Sequence, residues 1–410
     1  MRDGEKLKAH VIQMCCEGQM TVREGAMRLK LSERQVKKLK ARIKEFGVES
    51  ILHRNCGRQP KHTLSSETQQ KILEIKELPE YANVNFYHFC EELRDEFGIK
   101  VSYSALRNLL IANGIKSPKT RRKRKVKHQR RKRRERFGEL LQTDATPYDW
   151  YGIGGKSALH ALIDDATGKL TGLYMCKNEC YEGYAQITRQ TLKRHGIPLA
   201  IYADGLSIFF SNEKLSVEDE LAGKMHKLTQ YGEILSGLGT QLIHARSPEA
   251  KGRVERLWET LQSRLPVEFA KRGIKTDGEA NAFLVEYMEI FNTRFGVLPS
   301  KEESAFMKSP KGINLDTLLA WKATRIVDNS GCFSFDGVIC KCNIKDILPR
   351  TKVEILVSVK LGVKVRYLGH LYNPTPILDT KNRHISGSSI QTIFARFVQN
   401  NCLKNQKTAA

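Results

Sequence analysis

Leu140-Leu141-Gln142-Thr143-Asp144-Ala145-Thr146 opens the stretch that decides the fold. Leu199-Ala200-Ile201-Tyr202-Ala203-Asp204-Gly205 and Ser247-Pro248-Glu249-Ala250-Lys251-Gly252-Arg253-Val254-Glu255-Arg256 complete it. The first two read as short apolar strands, each ending in an acid, and the third as a loop running into a helix that carries Glu255. A carboxylate directly after a buried strand is costly unless it is paired or coordinates a metal. Two such strand ends plus a helical Glu suggest hard-cation ligands converging at one edge of a sheet. The acids are 60 and 51 positions apart, which leaves room for strands and helices between them.

Those intervening elements can be read in order. Ala158–Asp164 and Leu170–Cys176 are expected strands of an antiparallel hairpin, turning at Asp165-Ala166-Thr167-Gly168. Tyr181–Arg194 is an expected helix, stopped by Gly196 and Pro198, so that Leu199–Ala203 can return parallel to the first strand. A charge-rich insertion, Asn212–Leu238, precedes a strand at Gln241–Ala245. In the helix of Glu255, Val254, Leu257, Leu261 and Leu265 form an apolar stripe, with Lys251, Glu255, Trp258 and Gln262 on the neighbouring flank. Three meandering strands, helix, strand, helix, strand, helix is the order of a ribonuclease H-like α/β core, expected over 138–300. Asp164 and Asp165 are explained by turn chemistry, and Asp149 by support of Trp150 or a backbone amide.

Working outward, residues 1–54 read as a helix-turn-helix domain: Glu5–Glu17, then Val22–Leu29 capped by Thr21, then Glu33–Phe46 capped by Ser32. Arg34, Lys37 and Lys38 on the third helix suit a major groove. Asn55–Lys61 cannot form a helix, and its Arg58 could lie in a minor groove. A second helical DNA-binding module is expected at 62–117, with Ser104, Arg107 and Asn108 exposed. A basic linker at 118–137 follows, including Arg121, Arg122, Arg124, Arg131 and Arg134, too dense in like charge to order except against phosphates. Short β-rich runs at 323–398 suggest a small C-terminal β-barrel. The fold expectation is therefore multidomain: all-α front, α/β core, β tail.

The formal net charge of +24 points to a polyanionic partner, and double-stranded DNA fits better than a membrane. With 40% hydrophobic and 28% charged residues the composition is that of a soluble globular protein, and no run is apolar enough to span a bilayer. The start, Met1–Lys6, lacks an apolar signal region, so a cytoplasmic, nucleoid-associated protein is expected. Ten cysteines show no Cys-x-x-Cys pair, so no structural zinc is expected.

Four blocks carry a resemblance: Thr143–Trp150, Ile163–Gly168, Ala203–Phe209 and Ser247–Arg256. Together they resemble the DDE transposases with a retroviral-integrase-type core, in particular the bacterial insertion-sequence group ISNCY. The resemblance implies DNA cleavage at element ends and attack of a 3′-hydroxyl on target DNA by an oligomer. It further implies Asp144, Asp204 and Glu255 as catalytic ligands of two Mg²⁺ ions, with Mn²⁺ able to substitute. Lys251 and Arg253, beside Glu255, would then hold phosphate. Many integrase cores have a shorter interval before the Glu than the 50 residues here, which makes Glu249 a rival for the third position.

Overall fold

The structure, a computed structural model, describes residues 3–51, 64–118, 132–211, 217, 221, 227–245, 252–309 and 312–379. The chain divides into two compact units, Met1–Leu73 and Glu74–Ala410.

The first unit holds α1 (Asp3–Cys16), α2 (Val22–Leu29) and α3 (Glu33–Phe46). Thr21 and Ser32 each form a capping box, with Glu24 and Gln35 respectively, so both helix starts satisfy their first amides locally. Ile12 and Cys15 pack with Ala26, Val36 and Ile43. Leu7 of α1 is exposed. Arg34, Lys37 and Lys38 are exposed on α3, while Val36 between them is fully buried. That leaves one basic face and one apolar face.

Helix α4 (Ser66–Glu77) crosses the division between the units. In the second unit, α5 (Phe86–Asp95) starts at the Asn85 cap and α6 (Tyr103–Ala112) at the Ser102 cap. The next elements are β1 (Leu141–Tyr148), β2 (Ser157–Asp164), β3 (Leu170–Cys176), α7 (Tyr181–Arg194) and β4 (Ala200–Ala203). After them come α8 (Gln230–Gly237), β5 (Gln241–His244), α9 (Gly252–Arg272) and α10 (Asp277–Phe295). The strands form one sheet in the order β3-β2-β1-β4-β5. β1, β2 and β3 are antiparallel neighbours, whereas β4 and β5 run parallel to β1. This mixed α/β sheet fits the ribonuclease H-like order expected from the strand pattern. One expectation fails: Asp144 does not end its strand. β1 continues to Tyr148 because Ala145–Tyr148 stay paired with His160–Ser157 of β2.

Side-chain alternation assigns the two faces of the sheet. Leu159, Ala161, Leu173 and Met175 join Leu257, Leu261 and Phe269 of α9 and Leu284 and Met288 of α10. Leu141, Leu162 and Ile201 join Tyr184 and Ile187 of α7 and Tyr231 and Leu235 of α8 on the other face. α7 lies so close to the sheet that a Cβ on Gly172 would stand 2.5 Å from the Ile187 carbonyl oxygen. The edge strand β3 is closed by three side-chain amides. Asn281 bonds both N–H and C=O of Met175 (2.7 and 2.9 Å), Gln190 those of Leu173 (2.8 and 3.0 Å), and Asn292 those of Leu170 (2.6 and 2.9 Å). Asn292 does this from within α10, which runs on to Phe295.

The tail contains β6 (Trp321–Ile326), β7 (Cys332–Phe335), β8 (Val338–Lys341), β9 (Lys352–Ser358), β10 (Gly362–Tyr367), β11 (His370–Tyr372) and β12 (Thr375–Asp379). It is not a closed barrel among the described residues. Two sheets, β11-β10-β9-β6 and β12-β8-β7, share a core of Phe333, Phe335, Cys340, Ile355, Val357 and Val365. The β7–β8 hairpin turns tightly at Asp336-Gly337, both at positive φ, and takes β12 as its third strand. β12 escaped the strand pattern because it contains Pro376, next to which its register shifts. No described helix is long and apolar enough to cross a membrane.

Candidate active site

Helix α9 runs along β1 with matched spacing. The Val254 N–H donates to Gln142 Oε1 (3.3 Å), Trp258 Nε1–H to Asp144 Oδ2 (2.9 Å), and Gln262 Nε2–H to Thr146 Oγ1 (3.5 Å). Four helical residues advance about 6 Å and two strand residues about 6.7 Å, so a contact every fourth residue meets one every second. Glu255 lies in the first turn of α9, three residues before Trp258 and therefore on the same flank. The apolar stripe behind it is buried as expected: Val254, Leu257, Leu261 and Leu265 are all at most 2% exposed.

Asp204 approaches from the neighbouring strand. β1 and β4 pair Leu141 with Ile201 and Gln142 with Tyr202. Asp204 follows the last residue of β4 directly, on the side of the sheet edge toward which β1 carries Asp144. The Leu206 N–H donates to Asp204 Oδ1 (3.3 Å), turning the chain away directly after the acid. A second sign of convergence is Tyr184, fully buried beneath the site. Burial first, then Glu179, Asp144 and Asp204, holds its hydroxyl well above the ordinary tyrosine range. It therefore stays protonated and donates to Glu179 Oε1.

Beneath Tyr184 sits His160, edge-on to the tyrosine ring. Burial pulls His160 down to about 4, against weaker backbone contacts from Tyr174 and Ala158. Its Nε2 accepts the Cys180 N–H (3.2 Å), which marks that nitrogen as unprotonated. The ring fits only because residue 183 is glycine: a Cβ there would lie 2.4 Å from His160 Nε2.

The remaining site candidates scatter. Arg253 is mostly buried and lies 3.5 Å from Asp165 Oδ1. Arg134 is exposed at its side chain, 3.5 Å from Glu139 Oε1, while its backbone N–H donates to Asp165 Oδ2 (2.9 Å). Asp165 and Asp164 thus do more than shape a turn, since both are fully buried. Asp164 Oδ1 accepts the Gly138 N–H (2.9 Å), and Arg133 Nη1–H donates to the Ala166 carbonyl (3.0 Å). Together these contacts anchor the end of the basic linker to the β2–β3 turn. Asp149 accepts the N–H groups of Ile153 and Gly154, the backbone role expected for it. Arg58, Arg121, Arg122, Arg124, Arg131, Lys251 and the rival Glu249 lie outside the described residues.

Sequence reasoning passed over Glu179, Tyr184 and His244 and left Trp258 without a role. Trp258 had a usable signal, its position three after Glu255. His244, paired with Ala203 at the end of β5 and facing Gly205, could be recognised only once β5 was placed beside β4.

No family model matches the chain. The transposase for insertion sequence IS1202 of Streptococcus pneumoniae is 32% identical over 416 residues, covering 92% of this chain and 87% of that protein. A protein named as a transposase, y4bF of Sinorhizobium fredii, is 32% identical over 340 residues, covering 82% of this chain and 72% of its own length. Among solved structures, the magnesium-bound catalytic core domain of HTLV-2 integrase is similar to 36% of this chain and 82% of its own (TM-score 0.27, 19% identity). The simian T-cell lymphotropic virus intasome in complex with a PP2A regulatory subunit is similar to 68% of this chain and 96% of its own (TM-score 0.31, 13% identity). Sustained 32% identity across nearly the full length of a named transposase places this chain in the family of insertion-sequence transposases.

Proposed function

We propose that Asp144, Asp204 and Glu255 are the catalytic acids of this transposase and hold a pair of Mg²⁺ ions, for which Mn²⁺ can substitute. The observation that carries this reading is the seam between α9, β1 and β4: Asp144 on β1, Asp204 directly after the parallel neighbour β4, and a helix bonded to Asp144 and bearing Glu255 in its first turn. All three are hard oxygen ligands, the set Mg²⁺ accepts together with water and phosphate oxygens. When bound, such ions activate an attacking oxygen and stabilise the leaving one in an in-line phosphoryl displacement. The chain's own part is positional. Trp258 holds Oδ2 of Asp144 and so fixes the orientation of that carboxylate. The Leu206 N–H fixes Asp204 Oδ1.

In this reading the enzyme cleaves at the ends of its element and joins the 3′-hydroxyl to target DNA, working as a homo-oligomer on double-stranded DNA. The exposed Arg34, Lys37 and Lys38 of α3 supply end recognition, with Arg58, the linker arginines Arg121, Arg122, Arg124, Arg131 and Arg134, and Lys251 and Arg253, tracking phosphates. Asp144→Asn, Asp204→Asn and Glu255→Gln should each abolish cleavage and joining of labelled end DNA while end binding persists. Cleavage retained by Glu255→Gln and lost by Glu249→Gln would move the third ligand to Glu249.

A further inference from the structure

Away from the α9–β1 seam, the opposite end of α9 meets α5 in a dense ionic contact. Arg264 pairs with Glu91 (2.5 Å), Lys271 with Glu92 (2.6 Å) and with Glu96, and Arg294 of α10 with Glu91 (3.3 Å) and Asp95 (2.8 Å). Asn85 Nδ2–H adds a bond to Ser263 Oγ (2.6 Å). At its centre is His88, fully buried, one helical turn before Glu92 and opposite Glu268 of α9.

We infer that His88, Glu92 and Glu268 form a binding site for a divalent cation of the zinc class, which pins α5 to α9. His88 Nε2 lies 3.2 Å from Glu92 Oε1 and 4.0 Å from Glu268 Oε1. The three ligand atoms all fall within 4.8 Å of one another. A tetrahedral zinc ion with N and O ligands at about 2.0–2.2 Å sets its ligand atoms roughly 3.3–3.5 Å apart, so closure needs an adjustment of about 1 Å. Neither ring nitrogen of His88 makes an aligned hydrogen bond among the described residues. A neutral ring with its proton on Nε2 faces Glu92 Oε1 only in a 3.2 Å contact that is not aligned as a hydrogen bond. With the proton on Nδ1, the Nε2 lone pair faces the carboxylate oxygens, and a cation between them relieves that repulsion. The outer oxygens are already taken, Glu92 Oε2 by Lys271 (2.6 Å) and Glu268 Oε2 by Arg272 (2.5 Å). Those bonds aim both Oε1 atoms inward, the orienting role that outer partners play around bound metals. Imidazole with carboxylates suits zinc or a neighbouring transition metal better than Mg²⁺. Cysteine spacing gave no sign of this site because it contains no cysteine.

The test uses the full-length chain carrying Asp144→Asn, Asp204→Asn and Glu255→Gln, so that the proposed catalytic acids do not compete. After chelator treatment and dialysis against micromolar ZnCl₂, one equivalent of zinc should remain and the Tm should rise. His88→Gln and Glu268→Gln should each weaken retention by about 100-fold, more than loss of an outer partner would. Glu268 lies at the margin of the contact, so Glu268→Gln remains informative where His88→Gln fails to fold. Co²⁺ in place of zinc should show d–d bands without thiolate charge transfer. The proposal is overturned by no retained zinc, by a thiolate band, or by retention undiminished in both variants. Stabilisation by mild acid but not by zinc would also overturn it, identifying a protonated His88 between the two glutamates.

Discussion

An indole N–H placed 2.9 Å from Oδ2 of Asp144 presets one oxygen of a carboxylate on which the proposed chemistry turns. Trp258→Phe deletes that donor with little change in volume. A hydrogen bond to a charged group contributes about 1.5–3 kcal/mol. If that stabilisation is realised in the transition state, end cleavage should slow about 10- to 100-fold with end binding unchanged. A single-turnover rate within twofold of the native enzyme would show that Trp258 only packs. Gly183 gives a second residue-scale test. Ala at 183 forces its Cβ against the His160 ring beneath Tyr184, so Gly183→Ala should lower stability by about 1–3 kcal/mol in urea unfolding, in the range of other overpacking changes. At this scale the sequence singled out Asp144, Asp204 and Glu255 from acids beside short apolar runs and a helical stripe, although Asp144 lies inside β1 rather than at its end. Tyr184 was not singled out, since a helix sequence does not say which of its turns will lie next to the acids, and Glu179 precedes that helix in a loop without a pattern of its own.

The edge strand β3 illustrates the same division for whole elements. Its hydrophobic run predicted its limits to the residue, Leu170–Cys176. Its protection was hidden, because Asn281, Gln190 and Asn292 become strand partners only when α7 and α10 lie alongside. An unpaired strand edge invites intermolecular pairing. Asn281→Ala should therefore cost about 1–3 kcal/mol by leaving backbone groups of Met175 unsatisfied, and should raise aggregation on mild heating, followed by light scattering. The contact of β2 with α7 also has a pH signature through His160. Its folded value of about 4 lies below the ordinary 6.5, so folding favours the neutral ring. The stability this contributes is full above about pH 6.5 and is lost as pH falls toward 4, where the unfolded chain takes up a proton that the folded one refuses. Denaturation midpoints should fall across that window. In His160→Gln the fall should be smaller, and an equal fall would assign it to other groups.

For the molecule as a whole, a formal charge of +24 sets the terms on which it meets DNA. Repulsion among so many cations disfavours the compact state unless phosphates relieve it. The tail misled at this scale: alternation within β6–β11 was plain, but whether strands close a ring or split into two sheets depends on pairings such as β8 with β12 that local pattern does not encode. The basic run divides as well. Near its end, Arg133 is tied to the β2–β3 turn by its side chain and Arg134 by its backbone N–H alone, so the expected phosphate contacts are α3, the earlier part of the run, the Arg134 side chain, Lys251 and Arg253. Each contact that displaces a counterion adds about 0.9 to the slope of log affinity against log salt. A chain contacting several phosphates should thus lose about 10³–10⁵ in end affinity between 50 and 200 mM salt. Replacing Arg34, Lys37 and Lys38 together by Ala should weaken binding at low salt and flatten the slope by about 3 if all three sit on phosphates. Weaker binding with an unchanged slope would mean instead that α3 reads base edges. No loss at all would move end recognition away from α3, because these side chains are the exposed basic face of that helix.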